Sequence, residues 1–230
     1  HRIARRQRQM CIRDRDSNLT KTDFKGFDLN SEVFSAEIIS IESVDENTSA
    51  IILDQTIFYS EMGGQIGDTG TLTTNDGTAY SVIDTQVKNG IYLHLVETQE
   101  TLKGTVSLNI NLERRQAIQR HHSATHLLNW ALRSTLGTHI QQAGSSVTEN
   151  RLRFDFSHFE AIDSKTLQAI EQSINEKVMK NSFVETYEVA YKDKPEDVVA
   201  VFGEKYGDQV RVVDIGGFSK ELCGGTHVQA

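Results

Sequence analysis

A chain of 230 residues, 37% of them hydrophobic, can build one large domain or two small ones around packed cores. Its net charge is −8, but the first 15 residues hold six Arg and one acid, so the body carries 18 bases against 31 acids; bulk electrostatics argue against a nucleic-acid partner, and any such partner needs a local basic patch. Two cysteines, Cys11 and Cys223, are too few for a disulfide framework, and no apolar run approaches the roughly 20 residues of a membrane span, so the chain reads as soluble, with Cys223 suited to a metal or catalytic role in a reducing compartment.

Residues 1–23 read as a leader, disordered or non-native: "HRIARRQRQMCIRDR" is Arg-rich, lacks an initial Met and has no apolar period. With the stop three residues after His227, this start gives the expectation of a piece of a longer protein, and of His227 as the least firmly held of its neighbours. Residues 24–112 read as β. "SEVFSAEIISIESV" alternates, placing Val33, Ile39 and Ile41 on regular faces, and "SAIILDQTIFYS" is a second apolar run. "TAYSVIDTQVKNGIYLHLV" holds two more strands joined at Asn89-Gly90, a strong hairpin signal. "TVSLNINLE" puts Val106, Leu108, Ile110 and Leu112 on one face. Short strands at this spacing predict a small antiparallel barrel.

At Glu113 the period changes. Ala117, Ala124, Leu127, Leu128, Ala131 and Leu132 recur at three and four, predicting an amphipathic helix that ends at Gly137. "RLRFDFSHF" reads as a strand, and "DSKTLQAIEQSINEKVMKN" as a second helix capped by Asp163 or Ser164 with Leu167, Ile170, Ile174 and Val178 inward. "FVETYEVAY" and "VRVVDIG" read as strands, with "PEDVVAVFGEKYG" a short helix between them.

The first helix carries "HHSATH", in which only His122 and His126 stand at i and i+4 and share a face. A metalloprotease would place its Glu base after the first His; Ser123 stands there instead. About a hundred residues later Cys223 and His227 stand four apart, separated by two glycines and a threonine. Three imidazoles and one thiolate suit Zn2+. The stretch "FYSEMGGQIGDTG" is neither a P-loop nor G-x-G-x-x-G; it reads as a broad turn or as backbone that approaches a small ligand, with Gln65 to hydrogen-bond it.

Together "HSATHLL…ALR…LGTHIQQAGS", "LRFDFSHFE", "FGEKYGDQVRVV", "FSKELCGGTH" and "FKGFD…LDQTIFYSEMGGQIGDTG" closely resemble the editing region of alanyl-tRNA synthetases, over roughly residues 24–230; related domains occur in threonyl-tRNA synthetase and in free-standing AlaX-type deacylases. The resemblance implies an α+β fold: a small antiparallel β-barrel subdomain with the glycine-rich motif (24–112), then a zinc-binding α+β editing domain (113–230) with the long metal-binding helix packed on a sheet. It implies zinc ligands at His122, His126, Cys223 and His227, an editing-pocket glutamine at Gln142, and Gly63, Gly64 and Gln65 as substrate-binding residues. The implied substrate is tRNA(Ala) carrying Ser or Gly. A pocket for alanine separates such side chains by only about 1–3 kcal/mol per methyl or hydroxyl, so a second, hydrolytic site has a purpose.

Thr125 and Gln142 are the expected catalytic residues, orienting substrate or water, and Arg114, Arg115, Arg120 and Arg133 are candidates for a tRNA-binding patch, the bland reading of which is a solvated helix face. Zinc would either supply the nucleophilic water or position the substrate's amino group; four protein ligands are commoner in closed structural sites, and spacing leaves the choice open. The remaining synthetase domains, including any ATP-binding charging module, would be further partners, and the cytoplasm the place of action. A free-standing deacylase and a non-catalytic zinc-stabilised tRNA-binding module stand as alternatives.

Overall fold

The computed structural model describes residues 20–27, 29, 34–200 and 206–230. The chain divides into two compact units. One runs to Met62 and resumes over Gly67–Arg115; the other takes Gly63–Ile66 and Gln116–Ala230. The glycine stretch thus leaves the barrel unit for four residues, a division that a purely sequential boundary at 112/113 does not anticipate. Residues 1–19 of the expected leader, and Val33, lie outside the described residues, whereas Thr22 and Asp23 are part of the barrel unit: the Thr22 hydroxyl donates to Leu53 O at 3.2 Å.

The first unit is a closed antiparallel barrel. Its six strands are β2 (Phe34–Ser43), β3 (Ser49–Leu53), β5 (Gly70–Thr74), β6 (Ala79–Lys88), β7 (Ile91–Val96) and β8 (Thr105–Ile110), in the order β2-β3-β7-β6-β5-β8. Two short strands, β1 (Asp23–Phe24) and β4 (Gln55–Thr56), pair in parallel beside it. Asn89 and Gly90 both take positive φ, 53° and 82°, the tight turn that a two-residue hairpin demands. Val106, Leu108 and Ile110 point into the core with Ile51, Leu53, Phe58 and Leu72.

Two faces differ from the expected alternation. In β2 the register shifts between Ile38 and Ser40. This bulge changes the parity of the strand: Phe34, Ala36 and Ile38 face the core before it and Ile41 after it, leaving Ile39 43% exposed. Leu112 does not continue the face of β8; it is the first residue of helix α1 (Leu112–Leu136) and is exposed. Asn111 caps that helix, its Oδ1 accepting from Arg114 N at 3.0 Å.

A buried ion pair closes the barrel unit. Arg115 and Asp68 are each 1% exposed, and the Arg115 guanidinium donates to both Asp68 carboxylate oxygens, to Gly26 O and to Ile57 O.

In the second unit α1 ends at Gly137 (φ 116°), as predicted. The hairpin of β9 (Gln142–Val147) and β10 (Leu152–Phe156) follows, then α2 (Ser164–Lys180), β11 (Val184–Ala190), a 3-10 turn (Tyr191–Asp193), β12 (Gln209–Ile215) and β13 (Ser219–Leu222). The last three strands form one antiparallel sheet in the order β11-β12-β13. Helix α1 buries one side against this sheet, Leu127 meeting Val213 and Ile215, and another against α2 and the hairpin, Ala131 and Leu132 meeting Ile170 and Phe154. Asp163 caps α2 by accepting from Lys165 N and Thr166 N, both at 2.9 Å.

The inward stripe of α2 is shorter than predicted. Ile170 is buried and Ile174 partly so, but Leu167 and Val178 are 50% and 55% exposed, because the neighbouring elements cover only the middle turns. The helix expected from Pro195 is replaced, over the described residues 195–200, by a turn and an isolated bridge from Val199 to Glu221. The β-branched pair Val198-Val199 prefers extended backbone, and Val199 N donates to Lys220 O at 2.9 Å along the edge of β13. Among the described residues no helix is long and apolar enough to cross a membrane.

Candidate metal centre

Helix α1 sets His122 above His126 on one face, and β13 delivers Cys223 just beyond its last residue. The chain then turns through Gly224 and Gly225 and brings His227 back. The donor atoms of His122, His126, Cys223 and His227 all lie within 4.8 Å of one another. Cys223 Sγ is 3.4 Å from His122 Nε2 and 3.4 Å from His227 Nε2. A tetrahedral zinc with bonds of about 2.3 Å to sulfur and about 2.0 Å to nitrogen sets S and N roughly 3.5 Å apart. The donor set and its spacing therefore fit Zn2+.

Electrostatics favour ligation as well. Burial holds the His122 and His126 imidazoles down, to about 3 and about 4, and that of His227 well below its usual value; the Arg211 charge pushes all three the same way. Neutral imidazoles are the form that binds a metal. Arg211, on β12, also ties the turn together, Nη1 donating to Cys223 O at 3.0 Å and Gly225 O at 2.8 Å. Gly225 N donates to Cys223 Sγ at 3.3 Å.

Each ligand is turned by a neighbour. His122 Nδ1 meets Gln65 Oε1 at 2.7 Å, and His227 Nδ1 meets Ser123 Oγ at 3.1 Å. His126 Nδ1 makes no hydrogen bond; it lies 3.4 Å from Glu221 Oε2, a looser contact than the other two. Glu221 in turn accepts from Asn129 Nδ2 at 2.8 Å, and burial raises its carboxyl to about 7. Ser123, Asn129, Glu221 and Thr226 were not among the predicted site residues. Glu221 carries a weak signal in the sequence, since it stands two before Cys223 in an extended segment and so shares its side of the strand.

The other predicted residues separate into groups. Gln142, at the start of β9, lines a cavity of about 650 Å³ whose wall also includes Asn129, Arg133, Tyr191 and Glu221; through Glu221 this cavity adjoins the metal ligands. Thr125 is buried, and its hydroxyl donates to His121 O at 2.8 Å, a bond within the helix rather than one aimed at the ligand cluster. Gly63 and Gly64 are exposed with φ of 58° and 82°. A Cβ on Gly64 would come within 2.4 Å of Ser145 Oγ, because the stretch runs against β9: Gly64 O accepts from Val147 N and Ile66 N donates to Val147 O. Gln65 is fully buried, its Oε1 against Thr226 N and His122 Nδ1 and its Nε2 donating to Thr226 Oγ1.

Of the four arginines, one is buried. Arg115 is the buried partner of Asp68 and is unavailable to phosphate. Arg114 donates to Gly67 O at 2.7 Å, and Arg133 to Ile140 O at 2.7 Å, whereas Arg120 is exposed. The tail holds more firmly than its three residues suggest: His227 is 8% exposed, Val228 N donates to Ser123 Oγ, and Gln229 O accepts from Val184 N at 2.9 Å.

Two sequence families match this chain. The family described as "tRNA synthetases class II (A)" matches residues 9–116, and the "Threonyl and Alanyl tRNA synthetase second additional domain" matches residues 210–230, which carry Cys223 and His227. The alanine–tRNA ligase of Opitutus terrae is 44% identical over 216 residues, covering 90% of this chain and 23% of that protein. Alanine–tRNA ligase 1 of Lachnoclostridium phytofermentans is 45% identical over 218 residues (90% and 25%), and the alanine–tRNA ligase of Hydrogenovibrio crunogenus 47% over 195 (83% and 22%). The chain spans about a quarter of the length of these curated relatives. Over that span, it belongs to the alanyl-tRNA synthetase family.

Proposed function

We propose that this chain is the editing part of an alanine–tRNA ligase and hydrolyses the ester of tRNA(Ala) mischarged with serine or glycine. The observation that carries the reading is the convergence of His122, His126, Cys223 and His227 within 4.8 Å, beside a cavity walled by Gln142. Zn2+ held by these four would supply Lewis acidity toward the ester carbonyl or the substrate's amino group. The chain's own residues do the rest. Gln142 offers an amide with both a donor and an acceptor to the aminoacyl group, in a cavity of ligand size. A polar wall of this kind favours serine, whose hydroxyl can pair with it, over alanine, which would leave it unpaired.

The acidic body gives this piece little affinity for tRNA by itself, so capture falls to the other synthetase domains, and charging with ATP belongs to them too. Exposed Arg120 remains a candidate for phosphate contact. The reaction belongs with translation in the cytoplasm. The four-ligand set also fits a closed structural zinc, in which case the chain is a tRNA-binding module without hydrolysis.

One experiment separates these readings: deacylation of Ser-tRNA(Ala) by the wild-type chain, by Cys223→Ala and by protein stripped of zinc. Hydrolysis by the wild type alone supports editing. A folded, zinc-loaded wild type that does not hydrolyse Ser-tRNA(Ala) overturns it in favour of the structural module.

A further inference from the structure

We infer that Gln65, in the glycine stretch, is a positioning residue for the metal ligand His122 rather than a contact for substrate, an inference that rests on the zinc reading of the four-residue cluster.

The hydrogen bonds fix the orientation of the amide. Thr226 N can only donate, and it points at one atom of the Gln65 amide at 3.0 Å; that atom is therefore the oxygen, Oε1. The other amide atom, Nε2, donates to Thr226 Oγ1 at 2.9 Å. His122 Nδ1 lies 2.7 Å from the same Oε1. An amide oxygen carries no hydrogen and has two lone pairs, so it accepts from both neighbours, and Nδ1 must carry the proton. His122 is thereby held in the tautomer whose Nε2 has a free lone pair, and that atom stands 3.4 Å from Cys223 Sγ, on the side of the other ligands.

The ring is also confined sterically. A Cβ at Gly225 would fall 2.0 Å from His122 Cε1 and 2.4 Å from Nδ1, so the backbone of the Cys223–His227 turn lies directly against the imidazole. Gln65 is 0% exposed, and it joins a helix residue (His122) to a residue of the turn (Thr226) that carries the other two ligands. One amide thus couples the two halves of the centre. The paired glycines acquire a different purpose: with positive φ at Gly63 and Gly64, the segment bends onto β9, and the Gln65–Val147 bridge sets the depth to which the amide is inserted. Partners that orient a metal-ligating histidine are worth about 10- to 100-fold in metal affinity.

The test is Zn2+ affinity of the 230-residue chain, by competition with a chromophoric chelator, together with long-range 1H–15N spectra of the imidazoles in the metal-free protein. Gln65→Leu should weaken Zn2+ binding about 10- to 100-fold and release His122 from the Nδ1-protonated tautomer. Gln65→Glu keeps the acceptor and should restore both. Thr226→Val, which removes only the Nε2 partner, should give an intermediate loss of affinity with the tautomer retained, and it supplies the reading if Gln65→Leu does not fold. Wild-type affinity and an unchanged tautomer in Gln65→Leu, or in Thr226→Val no loss of affinity, would overturn the inference while leaving the metal reading intact. A wild-type chain that takes up no Zn2+ would overturn both.

Discussion

At the scale of single residues, the candidate metal centre depends on what stands against each imidazole as much as on the imidazoles themselves. The four candidate ligands can be picked out in the sequence because helix geometry makes only one of the histidine pairs usable, and because Cys223 and His227 stand only four positions apart. The residues that orient them are not legible: Gln65 and Thr226 are 161 positions apart, and no local pattern connects them. Gly225 shows the difference. In the sequence it is half of a flexible pair, but in the fold its missing Cβ is the space that His122 occupies. Gly225→Ala must therefore push the ring or the turn aside by more than a side chain can absorb. Its Zn2+ affinity should fall at least tenfold, as expected for a disturbed ligand shell. Gly217, by contrast, has nothing within 4 Å of the Cβ it lacks, and Gly217→Ala, strained only by its φ of 76°, should leave Zn2+ affinity unchanged. Equal affinities for Gly225→Ala and wild type, measured by chelator competition, would contradict the geometry.

At the scale of elements, alternation and helical period locate most of the fold and fail where a tertiary partner intervenes. The bulge at Ile39 reverses the parity of β2, and period-two reading cannot foresee an inserted residue. Strands β9 ("QAGSSV") and β13 ("SKEL") have no apolar alternation to read; they exist because β10 and β12 offer them hydrogen-bonding edges. Arg115 is the sharpest case. From the sequence it is one of a run of basic residues at a helix start. In the fold it is the buried cation that Asp68, Gly26 O and Ile57 O surround. Removing one member of a buried ion pair costs about 3–5 kcal/mol because the other is left uncompensated. Arg115→Met should accordingly lower the free energy of unfolding by about that amount in urea titration, and Arg115→Met with Asp68→Leu should recover a large part of it. A loss within about 0.5 kcal/mol, as is usual for a surface substitution, would show that the buried pair does not hold the barrel unit together.

At the scale of the whole molecule, both compact units keep histidines buried and neutral, and this sets how the chain responds to acid. In the metal unit these are His122, His126 and His227, and in the barrel unit His94. His94 is 0% exposed; its Nδ1 donates to Ile51 O at 2.9 Å, and its Nε2 accepts from the Thr56 hydroxyl at 2.7 Å. Thr56 Oγ1 also accepts from Phe58 N, so a second ring proton would need the Thr56 hydroxyl to turn its hydrogen elsewhere in a fully buried site. Burial lowers the His94 pKa from 6.5 to about 4. The folded barrel therefore binds fewer protons than the unfolded chain between those values. The stability that neutral His94 contributes is complete above pH 6.5 and is lost as pH falls toward 4, by about 3 kcal/mol in all. The three metal ligands add a loss of the same sign in metal-free protein, so the useful quantity is the difference between wild type and His94→Gln, in which their contribution cancels. Gln cannot titrate. His94→Gln should start out less stable at pH 7.5 and converge on the wild type as pH drops from 6.5 to 4, measured by urea unfolding of the zinc-free chain. If the gap between the two curves stayed constant over that window, protonation of His94 would not be coupled to unfolding of the barrel.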